Sequence, residues 1–529
     1  MTTSTSNTTA QPTLDRQTAE SQGMALAYFA QLVPDGPAVI SPTGNRSFKE
    51  LNARVNQLAH LFRAYGLKAG DGIAIICSNR TEFVEVYYAS MRSGLRFTPI
   101  NWHLTAHEAG YILDNCEAKL VFGDVICADV CAGAINDAPR LIWKLAIGGD
   151  IPGFESYEAA IAGQPDHDVS DPSLGNDMLY TSGTTGKPKG VFRRKRPGPS
   201  NTSIASNKLA AFVPGKDLML VPGPIYHSAG LHTNLHKAII NGIGAVIMPK
   251  WDPEEALKLI ERHRITHAHM VPTMFHRLLN LPDEVRTKYD VSSLRWLIHG
   301  AAPCPVDLKK KMLDWLGPII VEYYGSTEGV GVCIMPDQWL RKPGSVGCLR
   351  EDNSIEIRNP DGKVAAPGET GYVYFHLPEE VRFEYFKSPE KTTATFDGDY
   401  YTVGDIGYVD EDGFLFLVGR DAETIISNGV NIYPQEIDDV LALHPAVLEA
   451  CTVGIPDSIA GETVHSAINL KPGVTGNDEL AEELIAFTRS HLAAFKCPRS
   501  VEFVREALPR LQAGKILRNN VRAWYWPKK

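Results

Sequence analysis

The chain has 529 residues, too many for one hydrophobic core, so at least two domains are expected. With 44% hydrophobic and 22% charged residues it has the composition of an ordinary globular protein. A net charge of −10 argues against a nucleic-acid binder held by phosphate contacts and against a basic membrane-surface protein.

Residues 1–22, rich in Thr, Ser, Asn and Gln, read as a disordered tail without the apolar stretch of a signal peptide. No run of about 18 apolar residues occurs, so no stable membrane insertion is expected. The nine cysteines lack paired spacing, Cys127 and Cys131 being closest, which suits reduced thiols in a cytoplasmic protein. Ser47-Phe-Lys-Glu50 is a capping box, and Leu51, Val55, Leu58, Leu61 and Phe62 follow at helical spacing. Ile73–Cys77 reads as a strand, Phe83–Met91 as an amphipathic helix stopped at Gly94, and Phe97–Ile100 and Leu120–Phe122 as further strands. Short apolar strands alternating with helices predict α/β architecture, a parallel sheet with helices on its faces.

After the strand-like Met178-Leu-Tyr180 comes Thr181-Ser-Gly-Thr-Thr-Gly-Lys-Pro-Lys-Gly190. Such a segment has too many hydroxyls for a core but can wrap a polyanion. Glycines bring backbone N–H groups close, hydroxyls donate further bonds, and lysine supplies charge. It is not the G-x-x-x-x-G-K-[ST] loop, because no Ser or Thr follows a Gly-Lys pair at the required spacing. It reads as a phosphate loop. The run Arg193-Arg-Lys-Arg196 behind it reads as a solvated cationic face with no assigned role.

The strand rhythm continues through Leu218–Val221, Ala245–Met248, His267–Val271, Arg295–Ile298 and Ile319–Val321, with Asp252 and Pro253 opening a helix. From about Gly344 the texture changes to Asp-Gly turns and alternating strands, a mostly antiparallel region. Beyond Arg420 a compact α+β unit begins. Its helices are expected near 434–443 and 479–492, and its strands near 449–453, 465–470 and 501–504. The expected layout is a large domain at 23–419, a hinge at 420–423 and a small mobile domain at 424–529.

Several motifs in this order resemble the adenylate-forming superfamily, in its acyl-CoA synthetase branch. Thr181–Lys189 matches the phosphate loop, and Pro224-Ile-Tyr-His-Ser-Ala-Gly230 is similar to the substrate-gate segment. Glu322-Tyr-Tyr-Gly-Ser-Thr-Glu-Gly329 resembles the Y-G-x-T-E motif, and Tyr401-Thr-Val-Gly-Asp405 the ribose element. Gly429–Ile437 and Pro509–Lys515 match the loops serving the second and first half-reactions. The resemblance implies an α/β large domain of stacked sheets with a small α+β domain. It also implies ATP, Mg²⁺ and coenzyme A as cofactors, a carboxylic acid as substrate, and room for a homodimer. The implied product is a CoA thioester made through an acyl-adenylate, with AMP and pyrophosphate released.

Residue roles follow the same resemblance. Lys515 would lie between carboxylate and α-phosphate and ease the approach of one anion to another. Glu328 would hold Mg²⁺ and Thr327 would donate to the α-phosphate. Thr181, Ser182, Gly183, Thr184, Thr185 and Lys189 would cradle the outer phosphates. Gly300, Ala301 and Ala302 would sandwich adenine against Tyr323, with Tyr324 and Gly325 beside them. Asp405, assisted by Arg420, would accept from the ribose hydroxyls. Gly429 would leave the pantetheine channel open. The acyl pocket would comprise Tyr226, His227, Met274, Gly329 and Gly331, the glycines leaving room and Met270, Met274 and Phe275 supplying apolar walls. This suggests a medium to large hydrophobic acid: fatty, aryl or steroid-type.

Without their flanks, Lys515 would read as a solvated lysine, Glu328 as a helix-cap carboxylate and His227 as an ordinary hydrogen-bonded loop histidine. Ala422 stands where the family carries a charged hinge residue, leaving open which residue bends. The alternatives are transfer to an acceptor other than CoA, a luciferase-like member, an amino-acid adenylation domain and an inactive nucleotide-binding regulator. The gate lacks the aspartate an α-ammonium needs, and Lys515 with Glu328 disfavours the inactive reading.

Overall fold

The computed structural model describes residues 14–181, 188–195, 201–349, 355–427, 430–457, 460–510 and 515–526. Two large sheets form the N-terminal body. In the first, six strands run parallel in the order Ile320–Ser326, Trp296–His299, His267–Met270, Leu218–Val221, Gly244–Ile247 and Pro37–Ile40. Antiparallel strands Gly329–Ile334 and Arg46–Ser47 close its two edges. The second sheet is parallel throughout, in the order Glu155–Ser156, Trp143–Ile147, Ala118–Asp124, Gly72–Ile76, Arg96–Ile100 and Asn176–Asp177.

Helices Phe48–Ala64 and Thr81–Arg92 lie in the core that joins these sheets, with Phe48, Leu58, Phe83, Ile73 and Met219 in one apolar cluster. The expected capping box forms, with Ser47 Oγ on the Glu50 N–H and the Glu50 carboxylate on the Ser47 N–H. The second helix has the spacing of an amphipathic surface helix, yet every one of its residues is buried. Its polar side does not face water and is neutralised by partners instead. Glu85 accepts from Arg46, Arg54 and the Tyr157 hydroxyl, and Arg92 bonds Asn52 and Asn56. Buried charges persist only when paired in this way.

The antiparallel region is a seven-stranded sheet containing Gly371–His376, Asp405–Val409 and Phe414–Arg420. A three-stranded ribbon, Leu179–Thr181, Lys189–Arg193 and Phe383–Tyr385, lies at its side. The small domain has a five-stranded sheet whose long pair is Val447–Asp457 and Gly461–Leu470, covered by helices Pro434–Leu441 and Asp478–His491. No helix among the described residues is long and apolar enough to cross a membrane.

One expectation is corrected at the N-terminus. Arg16–Ser21 is a helix capped by Asp15, not part of a tail. Ala19 is fully buried, and Arg16 Nη2 donates to the Ile240 carbonyl at 2.9 Å. Polar composition hid a single buried alanine and one long-range anchor. Residues 1–13 lie outside the described residues.

Candidate active site

The phosphate-loop motif is split by its neighbours into two strand arms, with Thr181 paired to Lys189 in register. Ser182, Gly183, Thr184 and Thr185 lie outside the described residues. Lys189 Nζ stands 5.0 Å from the centroid of the Tyr385 ring. Burial and then Lys391 hold its pKa below the usual lysine value, while Glu328 acts in the opposite direction. Glu328 is buried at the turn joining strands Ile320–Ser326 and Gly329–Ile334, which pair through Ser326 and Gly329. A hairpin turn, not a helix cap, presents its carboxylate, and Tyr385 Oη donates to Oε1 at 3.0 Å. The Thr327 carbonyl accepts from Arg193 Nη2 at 3.2 Å, so the hairpin tip is tied to the ribbon. One carboxylate beside a phosphate loop is a donor set that fits Mg²⁺, which takes few protein ligands and completes its shell with phosphate oxygens and water.

Asp405 and Arg420 face each other across adjacent strands, Arg420 Nε to Oδ1 at 2.6 Å. Tyr324 Oη donates to Oδ2 of the same carboxylate at 2.8 Å. Burial and that anion push the Tyr324 hydroxyl well above the usual tyrosine range. A carboxylate has about four acceptor positions, so two remain for a diol.

Lys515 lies within the electrostatic reach of this pair although it belongs to the small domain. Burial lowers its pKa, Arg420 and Arg518 lower it further, and Glu423 and Asp405 oppose them. It makes no ion pair within 4.0 Å among the described residues. Its placement is fixed three residues later by the buried Arg518. That guanidinium bonds Glu423 at 3.0 Å, Asp438 at 2.7 Å and the Thr452 carbonyl at 2.7 Å. Glu423 belongs to the stretch 420–423 where a hinge is expected. Asp421, two residues before it, is held by the large domain through Tyr372 Oη at 3.1 Å and its N–H to the Gly404 carbonyl at 2.9 Å. Ala422 therefore sits between one residue tied to each domain. Arg518 and Asp438 escaped the sequence reading because no spacing marks them; their meeting depends on the small domain's packing.

Gly300, Ala301 and Ala302 follow the strand Trp296–His299, and Ala301 holds a left-handed φ of 65°, a strained state typical of functional turns. The Tyr323 ring lies directly on Gly300, where an added Cβ would stand 2.5 Å from Cε1. The hydroxyl of Tyr323 faces His269 Nε2 at 3.3 Å, and Asn234 Nδ2 reaches His269 Nδ1 at 3.3 Å. Gly325 packs against the Gly331 backbone.

The gate segment leads into a π-helix, Ala229–His236, a winding often found at functional positions. Gly230 is required there, since a Cβ would come within 2.1 Å of the Pro224 carbonyl oxygen. Tyr226 and His227 stand with ring centroids 4.7 Å apart, and neither Tyr226 Oη nor His227 Nε2 has a hydrogen-bond partner among the described residues. Burial lowers the His227 pKa to about 4, so the imidazole is neutral near pH 7. Met274, on helix Pro272–Leu279, is buried and faces Gly223. Gly329 and Gly331 leave no open room: a Cβ would meet Tyr401 Oη at 1.7 Å or the Tyr324 carbonyl oxygen at 1.6 Å. Their missing side chains let the hairpin close on Tyr401 and on itself.

Sequence reading also missed His232, one helical turn from Ser228, whose Nε2 lies 2.9 Å from Asp177 and Nδ1 3.2 Å from Ser228. A cavity of about 10 Å³, enough for one water, is lined by Asp177, Arg193, His232 and Thr327 among others. Gate helix and nucleotide hairpin thus face a common space. Gly429 lies outside the described residues.

Residues 26–382 match the family model of AMP-binding enzymes, and residues 436–515 that of the AMP-binding enzyme C-terminal domain. A long-chain-fatty-acid–CoA ligase of Bacillus subtilis is 30% identical, covering 94% of this chain and 93% of its own. A 3-[(3aS,4S,7aS)-7a-methyl-1,5-dioxo-octahydro-1H-inden-4-yl]propanoyl:CoA ligase of Mycobacterium tuberculosis is 33% identical, covering 94% of this chain and 97% of its own. Among solved structures, the o-succinylbenzoate CoA synthetase of Bacillus subtilis with its acyl-adenylate superposes with a TM-score of 0.77 at 28% identity, covering 94% and 97% of the two chains.

Proposed function

The chain belongs to the AMP-binding enzymes as an acid–CoA ligase, and from that premise we propose how its residues divide two steps at one site. In the first, a carboxylate oxygen of the acid bonds to the α-phosphorus of ATP, and the bond to the bridging oxygen breaks to release pyrophosphate. In the second, the thiolate of coenzyme A attacks the acyl carbonyl and AMP leaves with the electron pair of the broken C–O bond. The proton of the thiol passes to solvent.

The observation that carries this reading is Lys515, which makes no ion pair among the described residues and lies within electrostatic reach of the Asp405–Arg420 pair. Asp405 and Arg420 bind the ribose, Lys189 and the Thr181 arm hold the outer phosphates, and Thr327 faces the α-phosphate. Glu328 would hold Mg²⁺, which when bound would supply charge neutralisation to the phosphates. Lys515 bridges carboxylate and α-phosphate, where two anions must meet. Rotation about Ala422, with Asp421 staying on the large domain and Glu423 moving with Arg518, then carries Lys515 away and brings the Gly429 segment in for thioester formation. His227, kept neutral by burial, lines the acyl side of the reacting carbonyl and is not a general base. The acid is a largely apolar one, by analogy with relatives named for a long-chain fatty acid and for a bicyclic propanoate.

The test is ATP–pyrophosphate exchange and CoA thioester formation with a panel of fatty, aryl and polycyclic acids. Exchange and thioester with at least one acid is the expected result; absence of exchange with all of them overturns the proposal.

A further inference from the structure

Within the stretch Tyr226–Asn234, three buried polar atoms have no partner among the described residues: Tyr226 Oη, His227 Nε2 and Asn234 Oδ1. Asn234 is fully buried and Tyr226 only 5% exposed. Buried polar side-chain atoms are satisfied in the large majority of cases, so a cluster of exceptions calls for an occupant. Asn234 is half satisfied. Its amide nitrogen donates to His269 Nδ1, which places the imidazole proton on Nε2, directed at Tyr323 Oη. Burial lowers the His269 pKa to about 3, so this imidazole stays neutral near pH 7. With its nitrogen on His269, the amide presents its carbonyl oxygen, an acceptor without a partner among the described residues. Tyr226, on the same segment, offers a free O–H donor. The segment is set in an apolar body: Tyr226, Leu231 and Leu235 all belong to the large hydrophobic cluster of the N-terminal sheets.

An acceptor and a donor in an apolar surround are complementary to a hydroxyl group, which gives one hydrogen bond and takes another. We propose that the acyl group of the substrate carries at least one hydroxyl on its carbon skeleton, read by Asn234 Oδ1 with Tyr226 Oη as the second contact. The substrate is then a hydroxylated, otherwise apolar acid and not a plain alkyl acid. This rests on the ligase reading and narrows it. A plain chain leaves the Asn234 oxygen buried and unpaired in the complex, and sites built for a substrate hydroxyl reject analogues lacking it strongly.

The experiment compares matched saturated acids, ring and chain, that differ by one hydroxyl, by kcat/KM for pyrophosphate release and by thermal shift with AMP present. Wild type is expected to favour a hydroxylated member by at least about tenfold, and Asn234→Leu to bring that ratio near one. Tyr226→Phe, which deletes one oxygen and keeps the shape, is expected to reduce the ratio and provides the readout if Asn234→Leu misfolds. Equal or better use of every hydroxyl-free partner overturns this inference while leaving the ligase reading intact. A preference that survives in both variants overturns the assignment to Asn234 and Tyr226. Loss of pyrophosphate release with all acids, together with no thermal shift, overturns both.

Discussion

The nucleotide wall and the acyl gate solve the same problem in opposite ways. On the wall, the buried Asp405 carboxylate meets Arg420 and Tyr324, and Glu328 meets Tyr385, before any ligand arrives. In the gate, Tyr226, His227 and Asn234 each keep a buried polar atom without a partner among the described residues. A nucleotide common to every turnover can be met by a surface already in order. An acyl group is recognised by what the protein leaves unsatisfied, because an unmade hydrogen bond costs more than a made one gains.

The largest effect that sharpens this contrast is at Lys515. Lys515→Ala is expected to slow adenylate formation about a thousandfold, the scale of losing one key electrostatic stabiliser. Thioester formation from supplied acyl-adenylate should persist, measured as two separate half-reactions; equal loss of both would detach Lys515 from the first step.

Next is Asp405→Ala, which strands Arg420 and Tyr324. It is expected to lower stability by about 2 kcal/mol, below the range for a fully buried pair because Arg420 is partly exposed. The KM for ATP should rise at least about tenfold, one hydrogen bond to a charged group being worth that much. Urea denaturation and initial rates give the two numbers.

The same deletion on the two surfaces should differ in sign. Tyr324→Phe removes a partner of Asp405 and is expected to cost about 2 kcal/mol. Tyr226→Phe removes a hydroxyl that is buried without a partner, and should leave stability unchanged or raise it by up to about 1 kcal/mol. Equal losses in urea denaturation would erase the distinction between wall and gate.

A further test of the gate is pH. Burial lowers the pKa of His227 from 6.5 to about 4 and that of His269 from 6.5 to about 3. Between those values and 6.5 the unfolded chain binds protons that the native gate does not. Stability is therefore complete above about pH 6.5 and falls as the pH drops towards 4, by about 1.4 kcal/mol per histidine for each pH unit crossed. Denaturant midpoints across pH 7 to 4 measure it, and a flat profile would contradict neutral, buried histidines.

Much of the molecule could be read from local pattern. The capping box at Ser47, the strands Leu218–Val221 and Trp296–His299 and the antiparallel turn-rich region are short-range features, set by periodicity and turn chemistry. The motifs around Thr181, Glu328, Asp405 and Lys515 are contiguous strings, so their chemistry is legible before folding. Helix Thr81–Arg92 was legible as a helix but not as one buried on every side, because sequence does not say how many sheets will cover it.

What the sequence determined by itself is the inventory: an adenylating ligase's loops in order, each with its own local conformation. What only the tertiary structure decided is which side chains meet. Tyr323 Oη meets His269, Gly329 closes on Tyr401, and Arg518, three residues after Lys515, meets Glu423. The physical reason is that hydrogen-bond satisfaction is settled by neighbours far apart in the chain, and a buried atom without a partner cannot be recognised until everything around it is packed.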